Sequence, residues 1–114
     1  MTAASPPKRV LPFAVIGART NTGAVFLDGC STSATEFCGK RAVRVGDVLI
    51  DPVDGEVTVI SGLGGVAESG RLFAGLGSVL SNNSYIVDAG QDKIFSVEFE
   101  DGTATLFVAE DARA

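Results

Sequence analysis

All fourteen glycines fall between Gly17 and Gly102, and they cut the chain into apolar runs too short for ordinary helices. The runs are Val10–Ile16, Ala24–Leu27, Ala42–Val45, Val48–Ile50, Val57–Ile60, Leu72–Ala74, Tyr85–Val87, Ile94–Phe99 and Thr103–Val108. Their lengths are those of β-strands. The stretch 63–77 is rich in small residues, but it holds Gly64, Gly65, Gly70, Gly75 and Gly77. Each interior glycine costs a helix about 1 kcal/mol relative to alanine, which excludes one there. Phe95-Ser96-Val97-Glu98-Phe99 alternates fully, Val57-Thr58-Val59-Ile60 partly, and Asp101-Gly102 separates two strand-like runs as a hairpin turn does. The pattern predicts an all-β chain with essentially no α-helix. At 114 residues it forms one domain, expected over residues 10–114. Residues 1–9 are expected to be a flexible arm, because Met1–Pro7 is small, polar and proline-containing.

The glycines also mark a repeat. Gly39-Lys40-Arg41-Ala42-Val43-Arg44-Val45-Gly46-Asp47 is matched by Gly70-Arg71-Leu72-Phe73-Ala74-Gly75-Leu76-Gly77-Ser78. Each has a basic residue after the first glycine and a small polar residue after the second, so Gly39, Gly46, Asp47, Gly70 and Gly77 are expected at structural turns. Ala42 and Val43 are expected on opposite sides of a strand. Each segment is preceded by a glycine-bounded strand, Gly23–Gly29 and Gly55–Gly62 respectively. A third copy is read from Ser84 through Gly90 to Gly102 and on to Glu110, longer and without the closing glycine. Units of this size bury their apolar faces only against each other. Three of them can close around a pseudo-threefold axis, which protects sheet edges that an open array would expose.

The formal charge of −5 argues against a nucleic-acid surface and against an anionic membrane. Lys40, Arg41 and Arg44 form one small basic cluster, expected to be a solvated strand face. The two cysteines, Cys30 and Cys38, are too few to staple a fold and are expected as free thiols, at least one of them buried. Met1–Pro12 lacks the continuous apolar stretch of a signal peptide, and no run is long enough to span a membrane. Synthesis in the cytoplasm is expected, with any export following a route that reads no N-terminal signal.

The segment Gly39–Asp47 resembles the Gly-Lys-Pro-Ala-Ala-Arg-Val-Gly-Asp segment of PAAR-repeat proteins, the naming motif falling on Arg41, Ala42, Val43 and Arg44. Gly17-Ala18-Arg19-Thr20-Asn21-Thr22-Gly23-Ala24-Val25 resembles that family's opening Gly-Asp-x-Thr-x-His-Gly-Gly-Val, and Asp51-Pro52-Val53-Asp54-Gly55 its Cys-Pro-x-His-Gly. The likeness runs from about Val10 to Val108. It implies a small cone of three pseudo-threefold β-hairpin repeats. It also implies a structural role as the spike tip of a type VI secretion or phage-like contractile injection system. The implied partner is a homotrimeric VgrG-like β-helical spike, one chain per trimer, with effector cargo or an adaptor as further partners. The protein would then leave the cell as part of the secretion spike. The alternative is a small all-β ligand-binding or adaptor module.

Many members of that family bind zinc through His and Cys near the apex, and this chain has no histidine. Thr22, Asp51, Asp54 and Asn82 (or Ser81, by a one-residue shift) stand at the ligand positions. Structural zinc takes about four strong N or S donors in a tetrahedron, which this set does not supply. Two carboxylates with neutral oxygens would suit a hard cation, but aspartates beside Pro52 are also ordinary turn residues. No metal and no cofactor is expected, and the apex must be held by side-chain hydrogen bonds or packing.

Nothing points to an enzyme. There is no His for general base work, no Gly-x-Ser-x-Gly elbow, and no base beside Cys30 or Cys38. Ser61-Gly62-Leu63-Gly64-Gly65 lacks the Gly-Lys-Ser/Thr of a phosphate cradle and reads as a loop between strands. Glu98, Glu100 and Asp101 read as solvated charge near a turn. The purified protein is expected to carry no tightly bound zinc. Elemental analysis returning about one zinc per chain would contradict this.

Overall fold

The computed structural model describes residues 6–109. The chain is all-β, with one 3-10 turn at Asp28–Cys30 and no α-helix among the described residues. Its centre is a ring of main-chain hydrogen bonds. Ala14 N–H donates to the Ala74 carbonyl at 2.8 Å, Ala74 N–H to Val43 at 2.8 Å, and Val43 N–H to Ala14 at 3.0 Å. Three bridges flank the ring in the same cyclic order, Phe13 with Gly75, Val15 with Ala42 and Arg44 with Phe73.

From the ring each segment passes through a tight turn, closed by Ala18 N–H to Val15, Asp47 N–H to Arg44 and Ser78 N–H to Gly75. A hairpin follows in each case: residues 18–26, 47–59 and 78–86. Their bases are closed by Gly17 N–H to Phe26 (2.7 Å), Gly46 N–H to Val59 (2.8 Å) and Gly77 N–H to Ile86 (2.8 Å). The second hairpin is four residues longer and contains the regular pair Val48–Asp51 and Gly55–Thr58.

Each segment is entered by a strand with an antiparallel partner. Strand β1 (Pro7–Pro12) enters the first and pairs with β10 (Ile94–Phe99). Strand β4 (Lys40–Arg41) pairs with β3 (Glu36–Phe37), and β8 (Arg71–Leu72) with β7 (Ala67–Glu68). Pro12, Arg41 and Leu72 are equivalent, since their carbonyls accept from Leu76, Ile16 and Val45 respectively. Strands β3–β4 and β7–β8 are closed by two-residue turns at Cys38-Gly39 and Ser69-Gly70, all four residues at positive φ, as a type I′ turn requires. The β1–β10 ladder has no such turn. It continues through Val10–Val97, Arg9–Glu98 and Pro7–Phe99 and gains a third strand, β11 (Ala104–Val108).

This corrects the expected repeat in two places. The third unit is the N-terminal one, Phe13–Phe26, and the tract from Ser84 is divided instead. Its first part closes the third hairpin, and β10 supplies the partner strand for β1. The unit is completed by the two ends of the chain, and Val10 stands where Gly39 and Gly70 stand, so the glycine landmark is missing there. Of the arm expected over residues 1–9, Pro7–Arg9 instead lie in β1, while residues 1–5 and 110–114 lie outside the described residues.

The ring separates two core layers. On the hairpin side lie Ala14, Ala18, Ala24, Phe26, Val43, Leu49, Val57, Val59, Ala74, Leu80 and Ile86. On the other side lie Phe13, Val15, Phe37, Ala42, Leu63 and Phe73. Ala42 and Val43 therefore face opposite layers, as strand alternation requires. Phe13 and Phe73 occupy equivalent positions, but the third such position is Ala42. Phe37, from β3, fills the space left there, its ring centroid 5.4 Å from Phe13 and 5.3 Å from Phe73.

Gly46 has φ +95°, and a Cβ there would stand 2.7 Å from Arg71 Nη2. Gly77 has φ +86° with open space around it. A β-branched residue at such φ costs roughly 1–3 kcal/mol. Gly46→Val is therefore expected to lower the melting temperature, and by more than Gly77→Val, because it also displaces Arg71. Thermal denaturation of the two variants measures both; an unchanged Gly46→Val melt would contradict the turn assignment.

Candidate functional site

The four positions singled out at the expected apex come together at the hairpin tips. Asp51 ends the outgoing strand of the second hairpin and is 2% exposed, enclosed by tip residues. Its Oδ2 accepts Val53 N–H at 2.8 Å and Asp54 N–H at 2.9 Å, an Asx turn across Pro52. Its Oδ1 accepts a close hydrogen bond from the Thr22 hydroxyl of the first hairpin. With the Thr22 proton so committed, the Thr20 hydroxyl, 2.9 Å away, donates to Thr22. Asn82 of the third hairpin donates from Nδ2 to Asp54 Oδ2 at 2.8 Å, and its Oδ1 accepts the Ser84 hydroxyl at 2.5 Å. Ser81 lies outside this exchange and binds Thr58 N–H instead.

A residue not anticipated from sequence closes the circuit. Asn21 N–H donates to the Tyr85 carbonyl at 3.0 Å, and Asn21 Oδ1 accepts Tyr85 N–H at 2.9 Å. The first and second hairpins are thus tied through Thr22–Asp51, the second and third through Asp54–Asn82, and the first and third through Asn21–Tyr85. The only sequence sign of Asn21 was its place beside Thr22 in a Gly-bounded turn. Hydrogen bonds from Thr22, then from Asp54 and Val53 N–H, with a smaller one from Asn82, hold the Asp51 carboxyl below its ordinary value against the opposing effect of burial. Both Asp51 oxygens are engaged by internal donors, so the arrangement acts as a clasp rather than as an open ligand set. Among the described residues no group of three or more His, Cys, Asp or Glu is placed to hold a metal ion.

The sides between hairpins differ. The first and third share β2 (Arg19–Thr20) paired with β9 (Ile86–Asp88). The second and third are joined by Ile60 N–H to Val79 and Ser81 N–H to Thr58. The first and second share no main-chain hydrogen bond among the described residues.

The segment Arg41–Arg44 threads the ring at Val43, away from the clasp at the hairpin tips. Lys40 and Arg41 are exposed as expected, but Arg44 is not on a solvated face: its side chain is 6% exposed. Its Nη1 pairs with Glu68 Oε2 at 3.0 Å, and its Nη2 donates to Thr32 O and Oγ1, both at 2.8 Å. The correction has a plain cause. Arg44 occupies the place of Val15 and Gly75, and the space beside it is filled by the loop 31–35 rather than by water. Asp47, 1% exposed, accepts Arg44 N–H (2.8 Å), the Thr32 hydroxyl (2.7 Å) and Arg71 Nη2 (3.2 Å). Glu68 is held below its ordinary value first by the Thr35 hydroxyl, then by Ala34 N–H, Ser33 and the Arg44 charge, with burial opposing. Glu68, Arg71 and Thr32 were not anticipated; Glu68 and Arg71 flank the Ser69-Gly70 turn, which was the available sign.

The remaining candidates are ordinary. Glu98 pairs with Arg9 at 2.9 Å on the surface. Both cysteines are free; Cys30 is half-buried and Cys38 is exposed, which corrects the expectation of a buried thiol. An open groove of about 760 Å³ runs along Val25–Gly29 beside Glu36, Lys40 and Arg41. No protein-family model matches the chain, and neither a curated protein nor a solved structure matches it.

Both shifted carboxyls titrate lower in the folded state than in the unfolded chain. Their stabilisation is present above the unfolded value and is lost as pH falls through the folded one. The protein is therefore expected to lose stability below about pH 4, the ordinary carboxylate range. Asp51→Ser should flatten part of that fall without changing the fold. Melting temperatures of both proteins between neutral and acid pH measure this. An identical acid profile for the variant would show that the clasp contributes nothing.

Proposed function

We propose that the chain is a PAAR-like spike tip. In this reading it caps and sharpens the blunt end of a homotrimeric VgrG-like β-helical spike in a contractile secretion system. The observation that carries the reading is the ring joining Ala14, Val43 and Ala74, with the three turns and three hairpins that follow it in cyclic order. The end of a trimeric β-helix offers three equivalent strand edges. A single chain meets all three only by repeating its own contact surface three times about one axis.

The two sides of the ring suit the two tasks. On one side the hairpins are clasped at their tips around a core that includes Leu49, Val57 and Leu80. An end tied between each pair of hairpins resists splaying under axial load. On the other side the ladders β3–β4, β7–β8 and β1–β10 leave the ring one per sector. They would present three contact surfaces to a trimeric partner, and three such contacts on one rigid body act at high effective concentration. Arg44 is then an internal strut of the second sector rather than a contact residue. The role needs no catalysis and no cofactor, and the same rigid body would carry effector cargo.

The alternative, a ligand-binding module, rests on the groove along Val25–Gly29. Among the described residues the one buried side-chain polar atom without a partner is Arg44 Nε, which does not line that groove. Ligand pockets combine enclosure with a few convergent polar groups, so the groove weighs less than the ring. Light scattering on the chain mixed with its cognate trimeric spike is expected to give one chain per trimer. Three chains per trimer, or no binding at all, would overturn the reading.

A further inference from the structure

The three-stranded sheet β1–β10–β11 has two unlike edges. On β1 the edge is guarded in the ways native sheets use. Pro7 and Pro12 have no N–H, the Pro12 carbonyl is taken by Leu76, and the register slips between Pro7 and Arg9. On β11 nothing of the kind is found. Thr103-Ala104-Thr105-Leu106-Phe107-Val108 contains no proline and no charge. Phe99 N–H bonds to Thr103 O and Ala109 N–H to Lys93 O, so the odd-numbered residues of β11 face β10. The main-chain groups of Ala104, Leu106 and Val108 therefore point outward. Among the described residues the only hydrogen bond to any of them is a long one, 3.5 Å, from Thr105 Oγ1 to Leu106 O.

The sheet face is equally unfinished. Pro12, Phe95 and Phe107 stand in one row, Val10, Val97 and Thr105 in the next. Phe107 and Val10 are each 51% exposed. The equivalent rung of β3–β4 is Glu36–Arg41, a charged pair, and that of β7–β8 is Ala67–Leu72, with Leu72 41% exposed. Of the three rungs, that of β1–β10–β11 carries the largest apolar side chains, Phe95 and Phe107.

We infer that β11 pairs with β11 of a second copy of this chain, antiparallel and centred on Leu106, giving a six-stranded sheet across a two-fold axis. The strand is complementary to itself in this register. Ala104 meets Val108 of the other copy and Leu106 meets Leu106, so all three outward residues exchange main-chain hydrogen bonds. On the unfinished face Phe107 comes opposite Thr105 of the other copy and diagonal to the other Phe107, within the reach of cross-strand pairs. No charge lies in the paired segment to oppose its own copy. An edge of this length buries far less than the roughly 800 Å² per partner of a stable interface. The association is therefore weak and concentration-dependent. The surface lies beyond the spike-tip reading and does not depend on it.

Sedimentation equilibrium from about 1 to 300 µM, spanning weak-interface affinities, is expected to show a monomer–dimer equilibrium. Ala104→Pro removes an outward N–H that has no partner among the described residues, and Val108→Lys charges the edge. Each should raise the dissociation constant at least tenfold while circular dichroism stays unchanged. In a Cys30→Ser, Cys38→Ser background, Leu106→Cys should form a cross-linked dimer on mild oxidation, because directly opposed residues of a hydrogen-bonded pair lie about 5.5 Å apart. Ala104→Cys, opposed to Val108, should not. A monomer at every concentration, a dimer unaffected by both edge variants, or equal cross-linking of the two cysteine variants would each overturn the inference.

Discussion

The closed ring of main-chain hydrogen bonds among Ala14, Val43 and Ala74 fixes nearly everything else in the molecule. All three residues are fully buried, so no water can replace a lost partner. A buried main-chain group left unpaired costs about 1–3 kcal/mol, and the ring is cyclic: shifting one segment unpairs the other two. Side chains at the ring must therefore be small enough for three backbones to approach one another. Ala14 and Ala74 meet that demand directly. Val43 is the largest group there, and its sector is also the one with the longest hairpin. The same crowding explains why the segments turn immediately after the ring, at Gly17, Gly46 and Gly77, each at positive φ.

Equivalence in the backbone does not extend to the side chains, and the differences compensate one another. Alanine at position 42 leaves a gap that Phe37 fills from a neighbouring strand, keeping an aromatic layer of Phe13, Phe37 and Phe73 below the ring. Arginine at position 44 brings a charge into the interior, which would be costly alone. Glu68 and Thr32 bind its guanidinium and Asp47 accepts its main-chain N–H, leaving Nε without a partner among the described residues. The second sector thus carries an internal ion pair, where the third has Ser78 accepting Gly75 N–H and the first has Gln91 donating to the Phe13 carbonyl. The hydroxyl-rich loop 31–35 of the second sector is ordered by polar contacts, not by strand pairing.

Much of the architecture was legible in glycine spacing. Gly39–Gly46 and Gly70–Gly77 mark truly equivalent segments, because both glycine positions need a backbone conformation that other residues resist. The first unit escaped because its entry strand has Val10 at the landmark, where no turn exists, and its partner strand lies at the other end of the chain. Pairing between chain ends leaves no local signal. At the tips, Thr22, Asp51, Asp54 and Asn82 were legible as a group only through the resemblance to the PAAR ligand positions; the hairpins bring them together as hydrogen-bond partners instead. Arg44 was misread because burial of a charge depends on what distant segments supply, here Thr32 and Glu68, and the turn beside Glu68 does not show which residue it faces.

A metal at such an apex is a single node joining all three hairpins at once. The clasp reaches the same connectivity by another route, with three pairwise ties arranged in a circle. The ties are not equal. The first–third tie, Asn21–Tyr85, continues into the β2–β9 ladder, and the second–third tie, Asp54–Asn82, into main-chain bonds along the hairpins. The first–second tie is the Thr22–Asp51 hydrogen bond, with no main-chain support behind it among the described residues. This is where the chemistry is strongest: a carboxylate with both oxygens engaged, one of them by a charge-assisted bond from Thr22. The strongest side-chain contact thus sits at the side least supported by backbone. Hairpin tips tied in this way rely on Asp51 remaining ionised.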